Sequence, residues 1–553
     1  MDIFKKIVPP LLGLTIVFCS AFGAGAAHID IAQTKADTEA PLLAADFEIS
    51  GTKLESKTSL PSSYSSADLG YTLEIRDQLY NTCWAYSSTS TIESSLLKLG
   101  INTGLLAPMH MNHWGTLRAD GTGWNRGTTD GGYAYISLGY FTSWQGPRLE
   151  SEYSENTPYS DFALLDSTAS KQAIVNGIIY LESGDIETVK TAVYEYGAVV
   201  GNYHVNDDYY DPSTYAYYCN TVGLQTPQLN GHAISIVGWD DNFSKESFVD
   251  GAQPKNDGAW LCKNSWSPYW GNKGYYWISY EDNYLFDKRF GYSYAFTEFD
   301  TYKGTQTLYQ NEVDGATYEF SYLSAYNPIT YINVFDTDSE YDVIERVNFE
   351  STSQGAQYTI YNIPVDSEGK PREDRTYWYE IGSGTVEYKG YHSVDTEDFV
   401  AERSKFAIGV ELTQSNGSDN TIGVSEWLTT GDKYIFTPQS EKGMSYLHFG
   451  NSFFMDLMDF YKNHLSDDIG GTFVIKAIGR NHDNETLMGD VDCDGKLSVM
   501  DATHIQRYLA MIEDFSEEQI KLSDLDNDGT LSVMDATYVQ IAIASGDSEF
   551  EDF

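Results

Sequence analysis

Cysteine is scarce in this chain, with five in 553 residues. So few thiols in so long a chain do not make a disulfide framework. Basic residues are scarce as well. The 34 Lys and Arg stand against 81 Asp and Glu, a formal net charge of −47. That charge repels nucleic acid and anionic membrane and argues against both as partners. Long apolar runs are also missing. The one candidate, Ile7 to Phe18, is short for a membrane span and is interrupted by Pro9 and Pro10. Lys5 and Lys6 precede it, and the small residues Ala24-Gly25-Ala26 follow. That is the layout of a secretory signal peptide over residues 1–26, so a secreted, extracellular chain is expected. Cys19 raises the alternative of a lipid anchor, but Phe18 is bulky where a small residue belongs. Cleavage leaves Cys83, Cys219, Cys262 and Cys493, and a free thiol is expected among them.

The remainder is ordinary for folded protein, with 41% hydrophobic residues and charge spread along the chain. The length favours three or four domains. Residues 27–59 are polar and read as a leader or linker. Residues 60–295 mix helical and strand patterns. From 296 to 480 the chain turns to short alternating strands such as Gln357 to Tyr361 and Lys405 to Val410, separated by Gly, Asn, Ser and Asp. This is the pattern of a β-sandwich. Residues 486–550 contain an internal repeat at a spacing of 34 residues.

The repeat carries two cation loops. Asp490, Asp492, Asp494 and Asp501 fall at loop positions 1, 3, 5 and 12 of the first copy, and Asp524, Asp526, Asp528 and Asp535 at those of the second. Gly495 and Gly529 permit the sharp turn at position 6, the carbonyls of Lys496 and Thr530 supply position 7, and Ser498 and Ser532 act at position 9 through water. Ca²⁺ is a hard cation that takes six to eight oxygens, which a chain wrapped this way provides, so two calcium ions are expected. Position 12 is Asp rather than Glu, and no clear helix precedes the first loop. In both respects the tail resembles dockerin modules. That resemblance implies a small α-helical domain that docks its enzyme onto the cohesin of a scaffold protein, as in a cellulosome. It also implies that Val499-Met500 and Val533-Met534, at positions 10 and 11, face the cohesin. A plain calcium-stabilised terminal module is the alternative.

Cys83 stands in Gln78-Leu-Tyr-Asn-Thr82-Cys83-Trp84-Ala85, followed by a helical pattern with Ile92, Leu96 and Leu99 on one face. A helix N-terminus stabilises the thiolate, the reactive form of cysteine. His232, in Gly231-His232-Ala233, opens a strand-like segment and is the candidate acid/base partner. Asn264, in Lys263-Asn264-Ser265-Trp266, offers an amide oxygen to orient the imidazole, and Trp266 can shield that bond from water. Each residue alone is bland.

Together they resemble the papain family. Gln-x4-Cys-Trp-Ala, Gly-His-Ala, Lys-Asn-Ser-Trp and then Trp270-Gly271-x-x-Gly274-Tyr275 occur in the family's order. The resemblance implies a two-lobed peptidase fold, with Cys83 as nucleophile, His232 as acid/base, Asn264 as orienter and Gln78 as oxyanion donor. It implies that Gly131-Gly132 let substrate backbone lie close, and that Thr157-Pro158-Tyr159 sit near a substrate pocket. Two departures stand out. One residue is missing between Gln78 and Cys83 relative to the family, and the family's disulfide cysteine in that loop is absent. Only about 33 residues separate signal cleavage from Leu60, too few for the family's usual inhibitory prosegment. Cys262 reads as core, and Cys219 receives no role.

The middle region, on Gly443-Met-Ser-Tyr446 and Gly471 to Gly479, resembles the lectin-like sandwich that accompanies bacterial papain-type peptidases. Its aromatics read as sandwich surface, with a glycan platform as the alternative. The expected architecture is multidomain α+β: a papain-like two-lobed peptidase, a β-sandwich, then a small calcium-binding dockerin. The expected function is cysteine-type hydrolysis of protein or peptide. A catalytically weak peptidase-fold binding module is the rival, and loss of Cys83 or His232 would have marked it. A calcium-dependent surface adhesin explains the tail and sandwich but not the Cys-His-Asn set.

Overall fold

The computed structural model describes Glu48–Ile49 and residues 59–545, apart from 79, 154–171, 183–184, 226–227, 301–305, 323–327, 338–341, 402–404, 415–419, 431–433, 451–452, 465–468, 481–487, 492–496, 511–514, 516 and 527–528. The signal segment, Cys19, Cys493 and Thr157-Pro158-Tyr159 lie outside the described residues, as does the leader except for Glu48–Ile49, which pairs with Phe299 and Asp300.

The helix Cys83–Lys98 is buried almost all round from Cys83 to Leu96, although half its residues are Ser, Thr or Glu. Small hydroxyl side chains make that possible by donating to the preceding turn. Ser88 Oγ reaches the Trp84 carbonyl at 2.5 Å, Thr89 the Ala85 carbonyl at 3.0 Å, and Ser94 the Ser90 carbonyl at 3.0 Å. Short side chains also let a strand lie close. Ser235 of Gly231–Asp240 donates to the Ser87 carbonyl at 2.9 Å, and its Oγ lies 3.0 Å from Thr91 Oγ1. Ile92 and Leu96 are core, as the helical pattern predicts. Leu99 is not: the helix ends at Lys98, Gly100 turns away at φ +83°, and Leu99 is 42% exposed.

The buried strand Gly231–Asp240 pairs antiparallel with Val199–His204 and with Ala259–Lys263, in the register Tyr203↔His232 and Ser235↔Lys263. Two shorter helices, Pro108–Trp114 and Ala134–Thr142, complete the lobe around Cys83. The second region is a sandwich. Gln357–Ile363 and Lys405–Thr413 form where alternation predicts strands, in a six-stranded sheet with Ile329–Asp336 at its centre. Opposite lie Val343–Ser351 and Ile475–Arg480. Phe349, Val347 and Ile475 interleave with Ile360, Val410 and Tyr331 in one core.

These two regions share a sheet. Gly390 and Tyr391 of the sandwich pair with Ile179 and Ile178 of the first region, so strand order runs unbroken from one to the other. Arg118 of the first region holds Asp314 of the second by a two-pronged ion pair at 2.9 and 2.5 Å. The tail packs the helices Val499–Leu509 and Val533–Ser545 around Val491, Ala502, Ile505, Leu525, Ala536 and Val539. No helix among the described residues is long and apolar enough to cross a membrane.

Candidate active site and calcium loops

Cys83 and His232 line one cleft, together with Asn81, Trp84, Gly131, Gly132, Tyr133, Asn202 and Phe290. Cys83 is the first residue of its helix, which points the N-terminal dipole at the thiol. The antiparallel register carries the chain past Lys263 back towards His232. There His232 Nε2 lies 2.9 Å from Asn264 Oδ1. The same oxygen accepts the Ser265 backbone N–H at 2.8 Å, which fixes which end of the amide faces the imidazole. The other ring nitrogen, Nδ1, is left for a proton exchanged with the thiol. Trp266 stacks on the imidazole at 4.4 Å and 28°.

Burial pushes the Cys83 thiol up, against the backbone N–H groups of Ala233 and Trp84. Burial also pushes His232 down to about 4, against the Asn264 bond. Desolvation thus favours the neutral thiol–imidazole pair, and the helix terminus favours the ion pair.

Gln78 sits beside this group and does not line the cleft. Its Oε1 accepts Ser265 Oγ at 2.6 Å, its backbone N–H donates to the Ser265 carbonyl at 2.8 Å, and its Nε2 donates to the Tyr80 carbonyl at 2.8 Å. One Nε2 hydrogen therefore has a partner among the described residues, and the second has none. Behind it Arg76 ties the loop to the helix through Glu93 at 3.0 Å and through the Leu106 carbonyl at 2.7 Å. Lys263, next to Asn264, is buried, and desolvation lowers it to about 8 against the pull of Glu93.

Sequence reasoning missed Arg126, which builds the opposite wall. This buried guanidinium donates to the carbonyls of Gly131 at 2.9 Å, Asp130 at 2.8 Å, Asn112 at 2.9 Å and Gly115 at 3.0 Å, and lies over the Trp84 ring at 5.2 Å. Gly132 has no room for a side chain: a Cβ there would stand 2.4 Å from the Trp84 indole. In the sequence, the only signal was an arginine shortly before the Gly-Gly pair. Cys262 is fully buried core, as expected, and Cys83, Cys219 and Cys262 are all free thiols.

In the tail, Asp501 accepts the backbone N–H groups of Val491 at 2.8 Å and Ser498 at 2.7 Å. Asp535 repeats the pattern with Leu525 at 3.0 Å and Ser532 at 2.8 Å. Both carboxylates are fully buried, as is Asp490. Carboxylate oxygens of Asp524, Asp526 and Asp535 lie within 4.8 Å of one another, a spacing that fits one Ca²⁺. Asp492, Asp494, Lys496 and Asp528 lie outside the described residues, whereas Thr530 lies within them. Val499, Met500, Val533 and Met534 are 51–65% exposed at the two helix starts.

Comparison with known proteins agrees with this division. The papain family cysteine protease profile matches residues 60–292, a lectin like domain matches 308–478, and a dockerin type I domain matches 488–543. The clostridial cysteine protease Cwp84, in its structure after propeptide cleavage, is 31% identical with a TM-score of 0.67. That match covers 76% of this chain and 100% of that one. The chain belongs to the papain family of cysteine proteases. A second structure, of the cysteine protease and lectin-like domains of Cwp84, a surface layer associated protein of Clostridium difficile, gives the same identity and TM-score over 78% of this chain and 91% of that one. Cathepsin K of Gallus gallus is 28% identical over 212 residues, 37% of this chain, and cathepsin L2 of Homo sapiens 26% over 237 residues, 40% of it. The chain spans 55% and 62% of the length of these two curated relatives. Its architecture is thus a papain-like peptidase followed by a lectin-like sandwich and a dockerin.

Proposed function

We propose that this chain is a secreted cysteine peptidase that hydrolyses peptide bonds through Cys83, His232 and Asn264, and that its dockerin holds it by way of calcium to a cohesin on a scaffold. The observation that carries the catalytic reading is the meeting of Cys83 and His232 on one cleft, with Asn264 Oδ1 2.9 Å from His232 Nε2. Cys83 Sγ attacks the scissile carbonyl, and its proton passes to His232 Nδ1. The carbonyl carbon becomes tetrahedral, and its oxygen is met by the backbone N–H of Cys83 and the free N–H of Gln78. His232 then returns the proton to the leaving amine, and the acyl-enzyme forms. Water, deprotonated by the same imidazole, releases the acid and restores the thiol. Gly131 and Gly132 admit the substrate backbone, and Trp266 keeps water from the His–Asn bond.

The limits that go with this reading are a signal peptide at 1–26, a leader at 27–59, a peptidase at 60–295, a sandwich at 296–480 and a dockerin at 486–550. Two calcium ions are assigned, one per repeat, and Val499-Met500 and Val533-Met534 are assigned to the cohesin. The surface-layer association named for Cwp84 supports an extracellular or cell-surface place. The test is hydrolysis of a fluorogenic peptide. Cys83→Ala and His232→Ala should each abolish it while leaving thermal unfolding intact. Full activity in folded Cys83→Ala would refute the assignment.

A further inference from the structure

The sandwich reaches into the peptidase at a second place, well separated in sequence from the shared sheet. Leu428–Thr430 and Tyr434–Thr437 pair antiparallel, and the second strand takes Gly123–Trp124 of the peptidase as its other neighbour. The register sets Phe436 opposite Trp124. Both side chains are fully buried, with ring centroids 4.9 Å apart. One residue on, the Asn125 backbone N–H donates to the Ile435 carbonyl at 2.8 Å. The next residue is Arg126, whose guanidinium holds the Gly131 and Asp130 carbonyls and covers Trp84. Trp84 in turn fills the space above Gly132 and follows Cys83 directly. Trp124 also packs on Tyr133, a residue lining the cleft, at 6.1 Å.

The segment from Asn125 to Tyr133 has neither helix nor strand. Its path is therefore set by these side-chain and interdomain contacts. A wall that must present Gly131 and Gly132 to a substrate backbone needs a fixed path, because small misplacements of binding groups are costly. We propose that the strand pair Leu428–Thr430 and Tyr434–Thr437 of the lectin-like domain is a positioning element for the substrate cleft. In this scheme Phe436 acts through Trp124 and Arg126 to hold the Gly131-Gly132 wall. The inference rests on the reading of that cleft as the peptide site. It gives the sandwich a share in peptidase affinity that does not depend on any sugar.

The experiment uses the full chain and two readouts. Peptide hydrolysis needs the wall, whereas alkylation of Cys83 by iodoacetamide needs only the thiol and its imidazole. The unsubstituted chain is measured first, and lack of hydrolysis there refutes the peptidase reading and this inference with it. Given hydrolysis, Phe436→Ala should raise KM about tenfold while the alkylation rate stays within about twofold, and Phe436→Leu should restore much of the affinity. If Phe436→Ala does not fold, Trp124→Phe carries the test. The Trp124 indole N–H has no partner among the described residues, so that change removes area alone, and KM should rise about threefold. An unchanged KM in a folded variant overturns the proposal. So does a parallel fall in hydrolysis and alkylation, which marks general damage to the catalytic pair.

Discussion

Asn264 Oδ1 is held from two sides, by the imidazole and by the Ser265 N–H, and this pins the ring nitrogen that remains for Cys83. Gln78 is held as firmly, but towards Ser265 and Tyr80. One residue is missing between Gln78 and Cys83 relative to the family, which the sequence made visible without saying where the side chain would go. On the proposed mechanism its free N–H still serves the oxyanion. Gln78→Ala should lower kcat by roughly 10- to 1000-fold with little change in KM, measured by steady-state hydrolysis. An unchanged kcat would mean that backbone donors suffice. Cys83, His232, Asn264 and Trp266 were legible in the sequence because each stands in its own short segment with a distinctive chemistry. Arg126 was not, because its role lies in four carbonyls on two separate stretches of backbone, 112–115 and 130–131, and no local pattern records that.

The dockerin repeat was the most legible element, since each loop carries its own acidic residues and its own helix cap. Ser498 caps Val499–Leu509 in a box with Asp501, and the Ser532 and Asp535 bonds recur in the second repeat. Carboxylates gathered at this spacing repel one another without a cation. Titration of the intact chain with calcium after chelation should therefore show two bound ions per chain by calorimetry, and binding to a panel of cohesins should appear only with calcium. No calcium heat would remove the assignment of the loops. The same Val-Met pair in both repeats predicts that replacing Val499-Met500 alone weakens cohesin binding only slightly and that replacing both pairs eliminates it. Elements built from distant strands were harder to see. Alternation gives Gln357–Ile363 and Lys405–Thr413 as strands, but not that Gly390 and Tyr391 pair with the peptidase, because pairing partners carry no mark in a single sequence. Leu99 shows the limit at a helix end, where the turn at Gly100 overrides apolar periodicity.

At the scale of the whole molecule, the division into peptidase, sandwich and dockerin followed from changes of pattern along the chain. The union of the first two did not. The shared sheet, the Arg118–Asp314 pair and the Phe436–Trp124 contact join them into one packed unit, while the tail keeps its own core. Among the described residues, Cys83 is the one thiol on the cleft. Cys219 and Cys262 are buried away from it, and burial pushes both thiols up, Cys219 to about 11. The most direct measurement is labelling of the intact chain with an epoxide inhibitor of thiol peptidases, followed by peptide mapping by mass spectrometry. The account predicts one label per chain, on the peptide that contains Cys83, with hydrolysis lost in step and no label on Cys83→Ala. Label on the Cys219 or Cys262 peptide, or hydrolysis that persists after Cys83 is fully modified, would contradict it.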